Sequence, residues 1–355
     1  MSAEPATRTP SQPSDVDGAP SAETTPGAGA GAVRARASRG ASSRVRVAAW
    51  WALAAAAAAA YLLVGLEGAI GFILPRRLLT LATMTVVGAA VAIATVLFHT
   101  VTANRILTPS IMGFDALYLL VQTAAMVALG VTGSVTIDPV LRFAAEATAM
   151  TLLAVGLYRW LIVGLGRSLH LVVLVGVVAG GFFRALSTLL QRAMDPTEFI
   201  VLQDRFFADF HGADPRLVAT SAGIVGLALL WTLHRSERLD VLALGRELAT
   251  SLGVDHRRSQ LVVLAVVALL VASATALVGP TSFFGLLVAH LAYQTMGTHR
   301  HRHVLPAACG AAVATLVGGQ LVFEQLLGLE GSLSLVVELL GGIAFLVLLL
   351  RRARA

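Results

Sequence analysis

The chain has 355 residues, of which 57% are hydrophobic and only 13% charged, with a formal net charge of +6. Soluble domains carry about 25% charged residues, so this composition excludes an ordinary soluble fold and indicates a polytopic membrane protein. All 26 basic residues are arginine, so no P-loop lysine and no Schiff-base lysine exist, and any ATP hydrolysis through a P-loop must come from another chain.

The single cysteine, Cys309, excludes an internal disulfide and a Cys-rich metal site. The arginines are scattered between apolar runs, which ties the basic balance to membrane topology and not to nucleic acid.

Residues 1–43 are rich in Pro, Ser, Thr, Ala and Gly without apolar periodicity, and are expected to form a disordered tail. A cleaved signal peptide is the rival, but the stretch before the apolar run is longer than a signal's n-region. The remainder, 44–355, is expected to be one transmembrane domain. Apolar runs predict ten spans, near 45–66, 78–102, 113–131, 140–163, 170–192, 216–234, 259–278, 281–297, 304–326 and 332–350. The division at Gly279-Pro280 cuts one long apolar region in two and is the weakest. Most arginines fall on the segments that are inner if the N-terminus is cytoplasmic, among them Arg105, Arg167, Arg235, Arg246, Arg300 and Arg351. Both termini are therefore expected in the cytoplasm, with the protein in the plasma membrane.

Five stretches interrupt this apolar pattern. In "NRILTPSIMGFDALYLLVQT" (104–123), Pro109 disfavours helix and Gly113 allows a tight re-entry. Asp115, Tyr118 and Gln122 then follow at i, i+3, i+7 on one helical face. That face is either the wall of a translocation path, since an intramembrane carboxylate is a functional signal, or interhelical hydrogen-bond glue. The longest inner loop, "DVLALGRELATSLGVDHRR" (240–258), predicts a short helix ended by Gly253, with Leu242, Leu248 and Leu252 as an apolar edge. It is a docking element or a membrane-surface helix. Arg76 and Arg77 lie on the outer side against the inner bias, suited to a partner's carboxylates or to lipid headgroups beside Phe72. Glu146, Arg184, Glu324 and Glu338 fall within spans; Arg142 and Glu146 form an i, i+4 pair, while Arg184 binds an anionic substrate or pairs internally. "HRHRH" (299–303) invites a metal reading, but the flanking arginines favour a basic inner loop.

Three segments together, "VVGAAVAIATVLFHTVTANRILTPSIMG" (86–113), "LALGRELATSLGV" (242–254) and "LVGPTSFFGLLVAHLAYQ" (277–294), resemble the FecCD-type permeases of iron-chelate ABC importers. That family also contains the membrane subunit of the vitamin B12 importer, and the resemblance covers about 45–350. It implies an all-α fold of about ten transmembrane helices, of the type II ABC-importer kind, working as a homo- or heterodimer with a path at the subunit interface. It implies separate ABC ATPase subunits, a periplasmic or lipoprotein substrate-binding protein, surrounding membrane lipid, and no cofactor or resident metal. Residue by residue, it carries an inner gate onto Asn104 and Ile106 and a second gate loop onto Ser168, Leu169 and His170. It carries ATPase coupling onto Ala243, Gly245, Glu247, Ala249 and Gly253, and binding-protein docking onto Arg77 with Arg76 beside it. The path is assigned to Asp115, Tyr118, Gln122 and Arg184. Two departures stand out: Arg105 replaces a proline of many relatives, and Glu324 lies where relatives carry an outer arginine. The expected cargo is a ferric siderophore. A zinc, manganese, haem or cobalamin permease and a secondary transporter are the alternatives, the last supported by Asp115 and the buried glutamates.

Overall fold

In lipid no backbone polar group can go without a partner, so apolar runs of this length fold as helices. The computed structural model describes residues 27–65, 70–164, 169–326 and 341–343. The chain forms α1 (Gly27–Leu63), α2 (Ile70–Thr102), α3 (Phe114–Thr136), α4 (Pro139–Gly164), α5 (Leu169–Gln191) and α6 (Pro196–Asp204). There follow α7 (Pro215–His234), α8 (Ser236–Leu242), α9 (Arg246–Ser251), α10 (His256–Val278), α11 (Phe284–Met296) and α12 (His301–Leu321). A π turn at Val322–Leu326 extends α12. Among the described residues eight helices are long and apolar enough to cross a membrane.

Several starts are set by local chemistry. Asp195 and Asp214 each precede a proline at the first helical position, and each carboxylate accepts a backbone N–H of the first turn. Asp255 caps α10 in the same way through Arg258 N–H. The core forms around α2, whose Met84, Ile93, Leu97 and Phe98 are fully buried against α10 and α12. α1 is tied on by side chains: Trp50 Nε1 donates to Thr295 Oγ1 at 3.0 Å and Trp51 Nε1 to the Pro306 carbonyl at 3.1 Å.

Three differences from the sequence reading have physical causes. The helix of α1 begins at Gly27, inside the segment expected to be a disordered tail; its alanine content favours helix even where no apolar face exists. The chain divides after Ser42 into two units, with Ser43–Ala355 holding the core. The run 281–297 yields only the 13-residue α11, about 20 Å of helix where a full crossing needs about 30 Å. Its start is delayed because Gly279-Pro280 breaks the chain and residues 279–283 stay irregular. The last predicted span, 332–350, lies outside the described residues apart from a helical turn at 341–343.

Candidate transport path and coupling surface

The break after α2 is a re-entrant segment. α2 stops at Thr102 because Ala103 takes a left-handed conformation (φ 46°). Asn104 Oδ1 then accepts the Ile106 N–H at 3.0 Å, an Asx turn that fixes the reversal. The chain runs without helix to Pro109 and climbs back beside α2, so that Thr108, Pro109 and Ser110 share a small cavity with Val91 and Thr95. Non-helical backbone at that depth is sustained only inside protein, and Thr108 and Pro109 are buried. A single turn at Ser110–Met112 leads to Gly113 (φ 97°), which starts α3. A Cβ on Gly113 would stand 2.8 Å from Gly180 Cα, so α3 and α5 meet backbone to backbone here.

The irregular stretch before α11 reaches the same place. Ser282 Oγ donates to Asp115 Oδ2 at 2.6 Å. Thr95, Thr275 and Gly285 complete the cavity of about 20 Å³, room for one water. Tyr118 Oη donates to the Arg205 carbonyl at 3.1 Å, and the Arg205 guanidinium donates to Gln122 Oε1 at 3.1 Å. Asp115, Tyr118 and Gln122 are all buried within this chain. The polar face of α3 therefore joins helices and loops of one subunit. Arg184 differs: it is exposed on α5, on the helix side that also carries exposed Val177 and Gly181.

The gate candidates divide. Asn104 and Ile106 lie in the reversal, half-buried. Ser168 lies outside the described residues, and Leu169 and His170 open α5. Arg105, the departure from the family pattern, is exposed and stacks 4.7 Å over the Tyr293 ring of α11. Its Nη2 donates to His299 Nδ1 at 3.2 Å. The arginine thus pins the reversal to α11 by the cation–π contact and to the connection after it by the hydrogen bond.

At the same end of the bundle, residues 236–251 fold as two short helices instead of the single one expected. Gly245 (φ 92°, ψ 174°) separates α8 from α9, a conformation open to glycine alone. This break changes the apolar edge: Leu242 is 2% exposed and faces inward, while Leu244, Leu248 and Leu252 are 54%, 56% and 61% exposed. Ala249 is buried, Ala243, Glu247 and Gly253 are exposed, and Gly253 ends the pair with φ 80°. Arg246 and Glu247 flank the leucines with opposite charges. A cleft of about 850 Å³ opens alongside, lined by Trp231, Arg235, Leu242, Val254 and Arg258. Exposed leucines rimmed by charge are what a docking element or a membrane-surface helix presents.

At the opposite end the two arginines have separate fates. Arg77 Nη1 donates to the carbonyls of Tyr61 at 3.0 Å and Val64 at 2.6 Å, and reaches Leu62 at 3.5 Å. It closes the C-terminus of α1, where a cation also meets the negative end of the helix dipole. Arg76 is exposed and sits 4.7 Å over Phe72. Arg77→Ala is expected to destabilise the folded protein by about 1–2 kcal/mol, read as a lower melting temperature in detergent.

Glu324 Oε1 accepts from His211 Nε2 at 2.8 Å and from Gln320 Nε2. His211 Nδ1 lies 3.4 Å from Asp209 Oδ1 on its other side. The hydrogen bonds to Asp209 and Glu324 push the His211 pKa up to about 9, against an ordinary value of about 6.5. A raised folded-state pKa stabilises fully below the ordinary value and loses that contribution as pH rises through about 9. The melting temperature should fall between neutral and strongly alkaline pH, and His211→Gln should flatten that fall.

Sequence reasoning missed the partners of "HRHRH". His301 Nδ1 meets Asp240 Oδ1 at 2.6 Å and its Nε2 meets Thr100 Oγ1 at 2.6 Å, while His299 holds Arg105. It also passed over His99, fully enclosed in α2 and 5.9 Å from the Tyr293 ring. Arg142 and Glu146 do pair as their spacing implied, at 3.0 Å.

Spanning helices, two irregular segments meeting inside the bundle and a charged-rimmed leucine surface at one end define a multi-pass membrane transport protein. Residues 72–351 match the FecCD transport family, and the chain belongs to that family as a permease subunit. It is 37% identical over 284 residues to the petrobactin import system permease protein YclO of Bacillus subtilis, covering 80% of this chain and 90% of that one. It is 32% identical to the petrobactin import system permease protein FatC of Bacillus anthracis, covering 79% of each. A solved structure of a metal-chelate type ABC transporter in an inward-facing conformation superposes with a TM-score of 0.74, over 86% of this chain and 99% of that one. At 22% identity this last likeness establishes the fold.

Proposed function

We propose that the chain is the permease subunit of an ABC importer that carries a ferric siderophore of the petrobactin kind into the cytoplasm. The observation that carries this reading is the 37% identity, over 80% of the chain, to a petrobactin import permease. Separate ATPase subunits dock on the segment from α8 to Gly253, which presents the exposed Leu244, Leu248 and Leu252 and leaves Ala243, Gly245, Glu247, Ala249 and Gly253 to shape the helix pair. The bias of arginines toward these segments supports a topology with that end, and both termini, on the cytoplasmic side of the plasma membrane. A secreted or lipid-anchored binding protein delivers the chelate to the other face, where Arg76 is an exposed guanidinium available to its carboxylates and the adjacent Arg77 closes the end of α1.

A second permease subunit packs against α5. Arg184 is exposed there, and a guanidinium facing lipid at membrane depth is costly. A water-filled path between two subunits removes that cost and offers the cation to an anionic chelate. The Asn104–Ile106 reversal, held by Arg105, forms the inner gate together with Ser168, Leu169 and His170. Asp115, Tyr118 and Gln122 brace the gate helix from inside the subunit. The metal-ion reading loses its support, since His301 is committed to Asp240 and Thr100 and His299 to Arg105.

The test is uptake of radiolabelled ferric petrobactin and other iron chelates by iron-starved cells with and without this chain. Loss of uptake for one chelate class, restored by the intact gene, is expected. Normal uptake of every chelate tried without the chain would sink the substrate assignment.

A further inference from the structure

Three elements that converge at the α8 end of the bundle are joined by one histidine. Asp240, on α8, accepts at Oδ1 both the backbone N–H of His301 at 2.9 Å and the ring Nδ1 at 2.6 Å. A carboxylate at that distance accepts a hydrogen bond from Nδ1–H and orients the ring. The opposite nitrogen, Nε2, lies 2.6 Å from Thr100 Oγ1 on the last turn of α2. His301 and Thr100 are buried, and the Asp240 side chain is 31% exposed at the surface end of the chain of contacts. Two residues beyond Thr100, Thr102 Oγ1 donates to the Asn104 carbonyl at 3.2 Å, at the reversal that begins the gate.

We propose that His301 is a positioning residue that transmits displacement of the coupling helix α8 to the gate end of α2, through Asp240 on one side and Thr100 on the other. The inference rests on the reading of α8 and α9 as the ATPase-coupling surface. Its physical basis is that a buried, charge-assisted contact of fixed direction resists separation more than sliding apolar contacts do. α8 also packs on α2 and α12 and places Leu239 and Leu242 in the buried apolar core, where contacts are non-directional. A movement of α8 therefore pulls the His301 ring, and with it the turn carrying Thr100 to Asn104. A role limited to capping α12 needs Asp240 and the His301 backbone alone; it has no use for Thr100.

The distinguishing variant is Thr100→Val, which keeps the side-chain shape and leaves the Asp240–His301 pair intact. In the complete complex, reconstituted with its ATPase and binding-protein partners, chelate transported per ATP hydrolysed should fall about tenfold, the effect of losing one such contact. Thr100→Ser restores the hydroxyl and should return the ratio to the wild-type value. Asp240→Asn should lower the ratio too, and the double variant should be no worse than the more severe single one, because both break the same link. A Thr100→Val complex that transports with wild-type stoichiometry would overturn the inference. A wild-type complex without ATP-dependent transport would instead overturn the coupling reading beneath it.

Discussion

Leu248→Glu combined with Leu252→Glu should abolish ATP-driven transport while the protein stays folded in the membrane. Both side chains are more than half exposed, at 56% and 61%, on the helix pair closed by Gly253. Charging them removes no core packing, so the folded yield should match wild type. Buried apolar anchors at a protein interface are worth about 2 kcal/mol or more each, so each single change should weaken ATPase association about 30-fold and the double change roughly 1,000-fold. Co-purification of the ATPase with the permease reads association directly, separate from transport. Undiminished co-purification would remove α9 from the coupling surface.

Gly113→Val carries the largest expected cost in stability. The backbone there has φ 97°, and a Cβ would lie 2.8 Å from Gly180 Cα and 3.2 Å from the Gly176 carbonyl oxygen. Backbone strain and overpacking together come to roughly 2–6 kcal/mol. Neither neighbour can yield, because both contacts are with backbone. The consequence is separation of α3 from α5 at the point where the re-entrant segment enters α3. A sharp loss of folded protein on detergent extraction is expected, and Gly180→Val should reproduce it from the other side of the contact.

Much of the architecture was legible because hydrophobic length is a direct physical requirement of lipid. The predicted runs 216–234 and 259–278 became Pro215–His234 and His256–Val278, lengthened at their starts by the Asp214 and Asp255 caps. Where a pattern depends on helix phase, a single glycine changes it. Reading 240–258 as one helix put Leu242 on the outer edge; the break at Gly245 turns it inward and exposes Leu244. Periodicity also says which residues share a face but not what that face meets. Asp115, Tyr118 and Gln122 do line up on α3, yet their partners come from Ser282 and Arg205, 167 and 83–87 positions away. The same holds for "HRHRH", whose charge pattern suggested a solvated loop while His301 is buried between Asp240 and Thr100. Arg77 was legible as an outer arginine, but its use as a helix cap depends on where α1 ends. Long-range partners of polar groups are set by tertiary packing, and a single sequence does not encode them locally.

The central claim is that this chain moves an iron chelate only when a separate ATPase acts on α8 and α9. Proteoliposomes containing the permease, its ATPase and its binding protein, supplied with radiolabelled ferric petrobactin, test it directly. Accumulation that requires ATP, and that disappears with Leu248→Glu and Leu252→Glu, is the predicted result. Accumulation by the permease alone, driven by an ion gradient without ATP, would contradict it and identify a secondary transporter.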